Sequence, residues 1–473
     1  MFRYSFALLT ACLLTSTCGF QTQEKGLIAD SKHRDLILVS VDTLRASRLP
    51  FYSALHSEPS LATAGSEDEK FSIAWLASHG VVYDAAFTTA GKTLPSLASF
   101  FTGLPPIEHG AISNVTRLQA PTIIQKLHQR GWKAHARVAN RALHKFCGLA
   151  EGFDSYAVRA KQNEAQLGDD LIIAARTDIE QKNRLLLWAH FMAPHQPYEP
   201  LPQYREQLHI PESIQAGNDQ LKAAHREPAK HQQLFDAYRD LYDAEIATAN
   251  QYVQKFLIDL DREYQQSGRG TLLENAVVVF FSDHGEELAD RNGYFLHAKS
   301  LYSSVVRVPL IILDENSSLS GHNEQLIDIS KTLEHVLYAT DQSSTTVVSA
   351  WHNDFFAIRN KRFTLVHNPS SNPQGPFEPP EDVPYLYPDV ALYDRLNDPF
   401  ELLDVASEYP DVVSALGAEL FDWYAEKAAI DSEIFSGLDE HTLSELGYSE
   451  NPVDPQNSNS RGPWSPQMYN NER

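Results

Sequence analysis

Residues 275–287 read NAVVVFFSDHGEE, and the fold turns on how that stretch is taken. Asn275 to Phe281 reads as a buried strand: after Asn275 it is an unbroken apolar run, Ala276 followed by β-branched and aromatic side chains. Such a run suits a strand covered on both faces, as in a parallel sheet. It stops at Ser282-Asp283-His284-Gly285-Glu286-Glu287, where polar residues take over. Two other stretches repeat the pattern. Asp35 to Val41 (DLILVSV) ends at Asp42-Thr43-Leu44-Arg45, and Arg184 to Trp188 (RLLLW) runs on toward His190 and His195. Trp132 to Ala139 reads as another strand, followed by Asn140. Between the strands, Phe71–His79, Ala120–Arg130, Asp169–Lys182 and the charged stretch Pro211–Leu260 read as helical. Strands alternating with helices predict an α/β fold with a central, mostly parallel sheet flanked by helices.

Ligands of open α/β sheets gather beyond the carboxyl ends of the strands. That rule brings Asp42, His190, His195, Asp283 and His284 to one edge. A second signal is Phe87 to Gly103, FTTAGKTLPSLASFFTG. Pro95 suits the first turn of a helix, where a missing N–H costs nothing. Thr93 then falls at or beside the N-cap, with its hydroxyl facing unpaired backbone N–H groups. Two carboxylates, an imidazole and a hydroxyl (Asp42, Asp283, His284 and Thr93) can bind one divalent cation. Such a cation lowers the hydroxyl pKa and prepares Thr93 as a nucleophile. His190, His195 and His297 are candidates to hold the transferred group or protonate a leaving group. Lys92, Arg45 and Lys299 are candidate charge partners.

The chain has 473 residues, enough for two or three domains. Its formal net charge of -23 argues against nucleic acid as a partner. An anionic substrate must then be captured by a local positive centre. The first 20 residues, MFRYSFALLTACLLTSTCGF, fit a secretory signal, with an apolar run too short to span a membrane. Cys18 is a candidate lipid anchor, and no membrane span is expected after the signal. The expected location is the periplasm or cell envelope. Beyond that region only Cys147 remains, so no disulfide framework is expected. Residues 33–325 are read as the catalytic α/β domain, 326–448 as a smaller α+β subdomain, and 449–473 as a disordered tail.

Taken together, ILVSVDTLR, TLPSLASFFTGLPPIEHG, HFMAPHQPY, FFSDHGEEL and HAKSLYSSVVRVPLII resemble the sulfatase branch of the alkaline-phosphatase superfamily. EGFDSY, LYDAEI, ALYDRLNDPFELLDVA and LSELGY extend the resemblance to Tyr448. It implies Asp42, Asp283 and His284 as metal ligands, and His195 and His297 as substrate contacts. His190 is implied as a substrate or supporting group. Thr93 stands where sulfatases carry the Cys or Ser that becomes formylglycine.

The sequence also departs from that family. Threonine cannot give the formylglycine aldehyde, because its β-carbon bears a methyl group. Leu97 replaces the signature Arg, and Val138-Ala139-Asn140 stands where sulfatases have Gly-Lys-Trp-His. Asp42 is followed by Thr43, where a second acid is usual. His284 in place of the usual Asn favours Zn²⁺ or Mn²⁺ over Ca²⁺. An unmodified threonine resembles the phosphoethanolamine transferases, lipoteichoic-acid synthases and nucleotide phosphodiesterases of the superfamily. SDHGEELADRNGYFLHAKS is similar to the first of these. The expectation is cleavage of phosphate esters, diesters foremost, through a covalent Thr93 intermediate. Sulfate-ester hydrolysis and a non-catalytic binding protein are the alternatives.

Overall fold

The apolar runs form strands in the computed structural model, which describes residues 34–52, 65–159, 161–214, 219–224, 227–291, 295–297, 300–315, 320–351, 355–367 and 390–427. In chain order these strands are β1 (Asp35–Val41), β2 (Val81–Phe87), β3 (Lys133–Val138), β4 (Ser155–Val158), β5 (Leu185–Phe191) and β6 (Ala276–Ser282). A short pair, β7 (Glu287–Leu288) and β8 (Phe295–Leu296), precedes β9 (Leu310–Leu313) and β10 (Gly321–Asp328). The large sheet has the order β10-β2-β9-β6-β1-β5-β3-β4. Only β9 runs against its neighbours; the remaining pairings are parallel.

Both faces of this sheet are covered, which is why its central strands lack polar alternation. Ile37, Val39 and Val41 enter one core with Val278 and Phe280. That core packs under the helices Leu167–Glu180 and Gln232–Gln266. Leu36 and Leu38 enter the other core with Val277, Val279, Phe281 and Trp188. The helices Thr93–Thr102, Ile123–Gln129 and Thr332–Tyr338 close that side. Trp188 is fully buried, with its ring 4.7 Å from that of Phe101.

The architecture is the mixed α/β one expected, with a large, mostly parallel sheet and a small antiparallel sheet toward the C-terminus. The small sheet is β11 (Val347–Trp351), β12 (Phe355–Arg359), β13 (Phe363–His367) and β14 (Val390–Asp394), backed by the helix Pro410–Ala425. β10 straddles position 325, and the helix Thr332–Tyr338 packs in the main core, so the large unit continues past that point. Residues 1–20 with Cys18, Lys299 and the segment from residue 428 onward lie outside the described residues. Among the described residues, no helix is long and apolar enough to cross a membrane.

β5 differs from expectation in extent. It runs through Ala189, His190 and Phe191, because these residues continue the ladder against Val39, Ser40 and Val41 of β1. His190 is therefore a strand residue rather than a loop residue.

Candidate active site

Asp42 follows β1 and Asp283 follows β6, adjacent parallel strands in register, so their side chains emerge side by side. The Ser282 hydroxyl joins the two turns. It lies 2.7 Å from the Val41 carbonyl and accepts from Leu44 N at 3.0 Å. Thr43 is held at φ +55°, a region costly for a β-branched residue. Its N–H donates to Asp283 Oδ1 (3.3 Å), and its carbonyl accepts from the Tyr242 hydroxyl (2.6 Å).

Thr93 is the first residue of its helix, one position inside the Lys92 cap. Pro95 sits in the first turn, where no intrahelical donor is lost. Ser96 Oγ donates to the Asp283 carbonyl at 2.6 Å, tying the helix to the β6 turn. The Leu94 N–H is satisfied by Asn114 Oδ1 at 2.9 Å. The approach to the helix is braced by the small sheet. Ser349 Oγ donates to Thr88 O (2.6 Å) and Ala350 N to Thr89 O (2.7 Å). Lys92 is buried, with Nζ 5.4 Å from the centre of the Trp351 ring.

These elements bring Thr93 Oγ1 to 3.4 Å from His284 Nε2 and 3.2 Å from Asn140 Nδ2. His284 Nε2 lies 3.4 Å from Asp283 Oδ2 and 3.8 Å from Asp42 Oδ1. His190 Nε2 and Asn140 Nδ2 reach Asp42 Oδ2 at 3.1 and 2.7 Å. Ligand atoms of Asp42, His190 and Asp283 all lie within 4.8 Å of one another. Asp42 Oδ1 and Asp283 Oδ2 are buried without a hydrogen-bond partner. Two orphaned carboxylate oxygens beside imidazoles form a donor set that fits a divalent cation.

The electrostatics point the same way. Burial, then the Asp42 charge, pushes Asp283 well above the usual carboxylate range. Burial also acts against Asp42, but the His190 hydrogen bond and the surrounding imidazoles hold it below that range. Burial brings His284 down to about 3, so its imidazole is neutral at physiological pH. A cation competes with a proton that Asp283 holds more tightly than a free carboxylate does. Affinity should therefore fall as pH drops, by about tenfold per unit for one displaced proton. Titrating metal into stripped protein at several pH values measures this slope; a flat dependence would contradict it.

His190 can serve a cation or the carboxylate. Trp188 Nε1 donates to Ser40 Oγ (2.9 Å), and Ser40 Oγ lies 2.8 Å from His190 Nδ1. The hydroxyl can donate to Nδ1 or accept from it, leaving Nε2 to carry either an N–H or a lone pair.

The His297 ring lies 4.4 Å from that of His284 and 5.0 Å from that of His195. Glu286 Oε1 holds His297 Nδ1 at 3.2 Å. Burial brings His297 down to about 4 and raises Glu286 to about 8. His195 Nε2 is buried without a hydrogen-bond partner. Its loop is fixed from behind: Lys161 Nζ donates to the His195 and Pro197 carbonyls, both at 2.6 Å, and Glu164 Oε1 accepts from Ala193 N at 3.2 Å. Arg45 commits its guanidinium to Asp290 (2.5 and 3.0 Å). Lys92 lies near enough to His297 for its charge to help depress that imidazole.

Thr93, Asp42, Asp283, His284, His190, His195 and His297 thus converge on the carboxyl edge of the sheet. Asn140, Glu286 and Glu164 join them without having been read as site residues. Asn140 carried a signal, since it follows a strand as Asp42 and Asp283 do; an amide is simply not an obvious ligand.

Residues 34–343 match the family model described as Sulfatase. No curated protein matches the chain in sequence. Among solved structures, a 2-O GAG sulfatase is 18% identical, with 83% of this chain and 92% of that chain covered at a TM-score of 0.59. Phosphonate monoester hydrolase from Silicibacter pomeroyi is 15% identical, with 87% and 97% covered at 0.62. The corresponding hydrolase of Agrobacterium radiobacter is 16% identical, with 86% and 98% covered at 0.58. These likenesses establish the fold, and the family match extends over most of the large sheet and its site. The protein is a hydrolase of the sulfatase family, within the alkaline-phosphatase superfamily.

Proposed function

We propose that the chain cleaves phosphate esters, diesters foremost, by transferring the phosphoryl group to Thr93. The observation that carries this reading is the Thr93 hydroxyl, which sits at the start of its helix, 3.4 Å from His284 Nε2 beside two buried carboxylates. Asp42, Asp283 and His284 or His190 would hold the cation, for which the nitrogen ligands suit Zn²⁺ or Mn²⁺. When bound, it supplies Lewis-acid charge to the nucleophile and to the group under attack. Thr93 Oγ1 attacks, the P–O bond to the leaving alcohol breaks, and water later releases the phosphoryl group. His195 and His297, buried close to His284, would orient the ester oxygens, and one of them would relay a proton released by the nucleophile to the departing oxygen.

Sulfate-ester hydrolysis is the competing reading, favoured by the sulfatases among the fold neighbours. Threonine weighs against it, since a sulfo-threonine lacks the aldehyde route that ejects sulfate. The test is a panel of aryl sulfate and phosphate mono- and diesters on metal-loaded protein. Diester turnover at least about 10²-fold above aryl sulfate is the expected result; dominant sulfatase turnover would overturn the reading. Leu97→Arg, which restores the signature residue, is not expected to create a sulfatase. Leu97 is fully buried in an apolar core, and an unpaired charge there costs on the order of 3–5 kcal/mol. A lowered melting temperature or loss of soluble protein checks this.

The proposal includes export to the cell envelope, supported by the N-terminal apolar run, with Cys18 as the point of lipid attachment. Activity recovered in a cytoplasmic fraction alone would count against it.

A further inference from the structure

We propose that Asn140 is a catalytic residue of this site: one amide N–H holds the Asp42 carboxylate while the other donates to the attacking Thr93 oxygen. The inference rests on the reading of Thr93 as nucleophile. The orientation of the amide is set by the backbone. Ala142 N–H donates to Asn140 Oδ1 at 2.8 Å, so Nδ2 must face the other way. There it reaches Asp42 Oδ2 at 2.7 Å and Thr93 Oγ1 at 3.2 Å, two acceptors for two N–H groups. The side chain is buried, so both bonds are made away from bulk solvent.

The consequence falls on the Thr93 hydroxyl. A carboxamide N–H can only donate, so Oγ1 accepts, and its own proton must point elsewhere. His284 Nδ1 faces the Gly285 carbonyl at 3.0 Å, so the proton sits on Nδ1. The Nε2 lone pair, 3.4 Å from Oγ1, is then free for the cation where His284 is a ligand, or for the hydroxyl proton where His190 is. One Oγ1 lone pair is engaged by Asn140, which leaves the second to attack. In the transfer step the Oγ1–P bond forms and the P–O bond to the leaving alcohol breaks. The hydroxyl proton ends on that alcohol, and no further reactant is consumed. Negative charge appears on Oγ1 as the hydroxyl gives up its proton, before the new bond draws it away, and a fixed neutral donor stabilises that alkoxide. An amide also adds no charge beside Asp42 and Asp283, whereas a lysine there would pair with Asp42 and a carboxylate would repel both.

The test uses the metal-loaded full chain with bis(4-nitrophenyl) phosphate, enzyme in excess, reading nitrophenolate release in a single turnover. Asn140→Ala and Asn140→Asp should slow release by about 10²–10³-fold, with KM changed less than about threefold. Asn140→Ser can still accept from Ala142 N–H without adding charge, so its melting temperature and metal content, read beside the rates, separate lost chemistry from lost folding. Asn140→Ser, which retains one donor, should recover about tenfold or more. Adding Asn140→Ala to Thr93→Ala should change nothing further, since the oxygen it serves is gone. Release at the wild-type rate in both Asn140→Ala and Asn140→Asp, or a raised KM with that rate unchanged, would overturn the proposal while leaving Thr93 as nucleophile. Full activity in Thr93→Ala would instead remove the Thr93 reading, and the role of Asn140 with it.

Discussion

Thr93→Ala should lower diester turnover on the order of 10⁴-fold or more, with fold and metal content nearly intact. The size of the loss follows from what is removed. No other hydroxyl lies within hydrogen-bond reach of His284 Nε2 among the described residues, so no second nucleophile stands in the same place. Ligand atoms of Asp42, Asp283 and His190 still lie within 4.8 Å of one another, with His284 Nε2 3.4 Å from Asp283 Oδ2, and should retain the cation. Thr93→Ser keeps the oxygen and loses only a methyl group, so it should stay within about tenfold of the wild type. Steady-state rates on bis(4-nitrophenyl) phosphate, with metal analysis of the same samples, make the comparison. An alanine variant that still turns over within tenfold would remove the threonine from the chemistry.

Asp283→Asn should act in opposite directions on the stripped and loaded protein. Without a cation, Asp42 and Asp283 crowd like charges in a buried site. Asp283 is protonated as a result, or costs stability when ionised. Its folded-state pKa lies above the unfolded value, so that cost appears once pH rises above the unfolded pKa and persists at neutral pH. Asparagine relieves it, and the melting temperature of the metal-free variant should rise above that of metal-free wild type. With saturating metal the order should invert, because the variant has lost an anionic ligand and much of its cation-linked stabilisation. Turnover should fall by about 10³-fold or more. Thermal melts of both proteins with and without metal decide it; a variant less stable than wild type in both states would mean the carboxylate does a structural job instead.

The sequence exposes some of this more readily than the rest, for physical reasons. β1, β5 and β6 are legible because a strand buried on both faces is apolar along most of its length. Asp42 and Asp283 are legible because each breaks such a run. His190 is harder to place, since the polar residue falls inside the ladder, where Ser40 and Asp42 satisfy its two ring nitrogens. β10 escapes notice altogether. It reads GHNEQLID, with its first half largely exposed at the sheet edge, so no apolar run marks it. Glu164 and Glu286 look like surface acids until the fold closes over them; burial is a property of the assembled chain. Asn140 is the instructive case, being visible by position and passed over by residue type.

The hydrogen bonds from Ser349 and Ala350 to Thr88 and Thr89 carry a consequence for biogenesis. The segment presenting the nucleophile is steadied by residues that leave the ribosome 261 positions later. A nascent chain halted after residue 343, where the family match ends, already possesses Asp42, Thr93, Asp283 and His284. It still lacks the strand that fixes the approach to Thr93. The approach to Thr93 is therefore braced only once Ser349 and Ala350 have been made, long after the nucleophile itself.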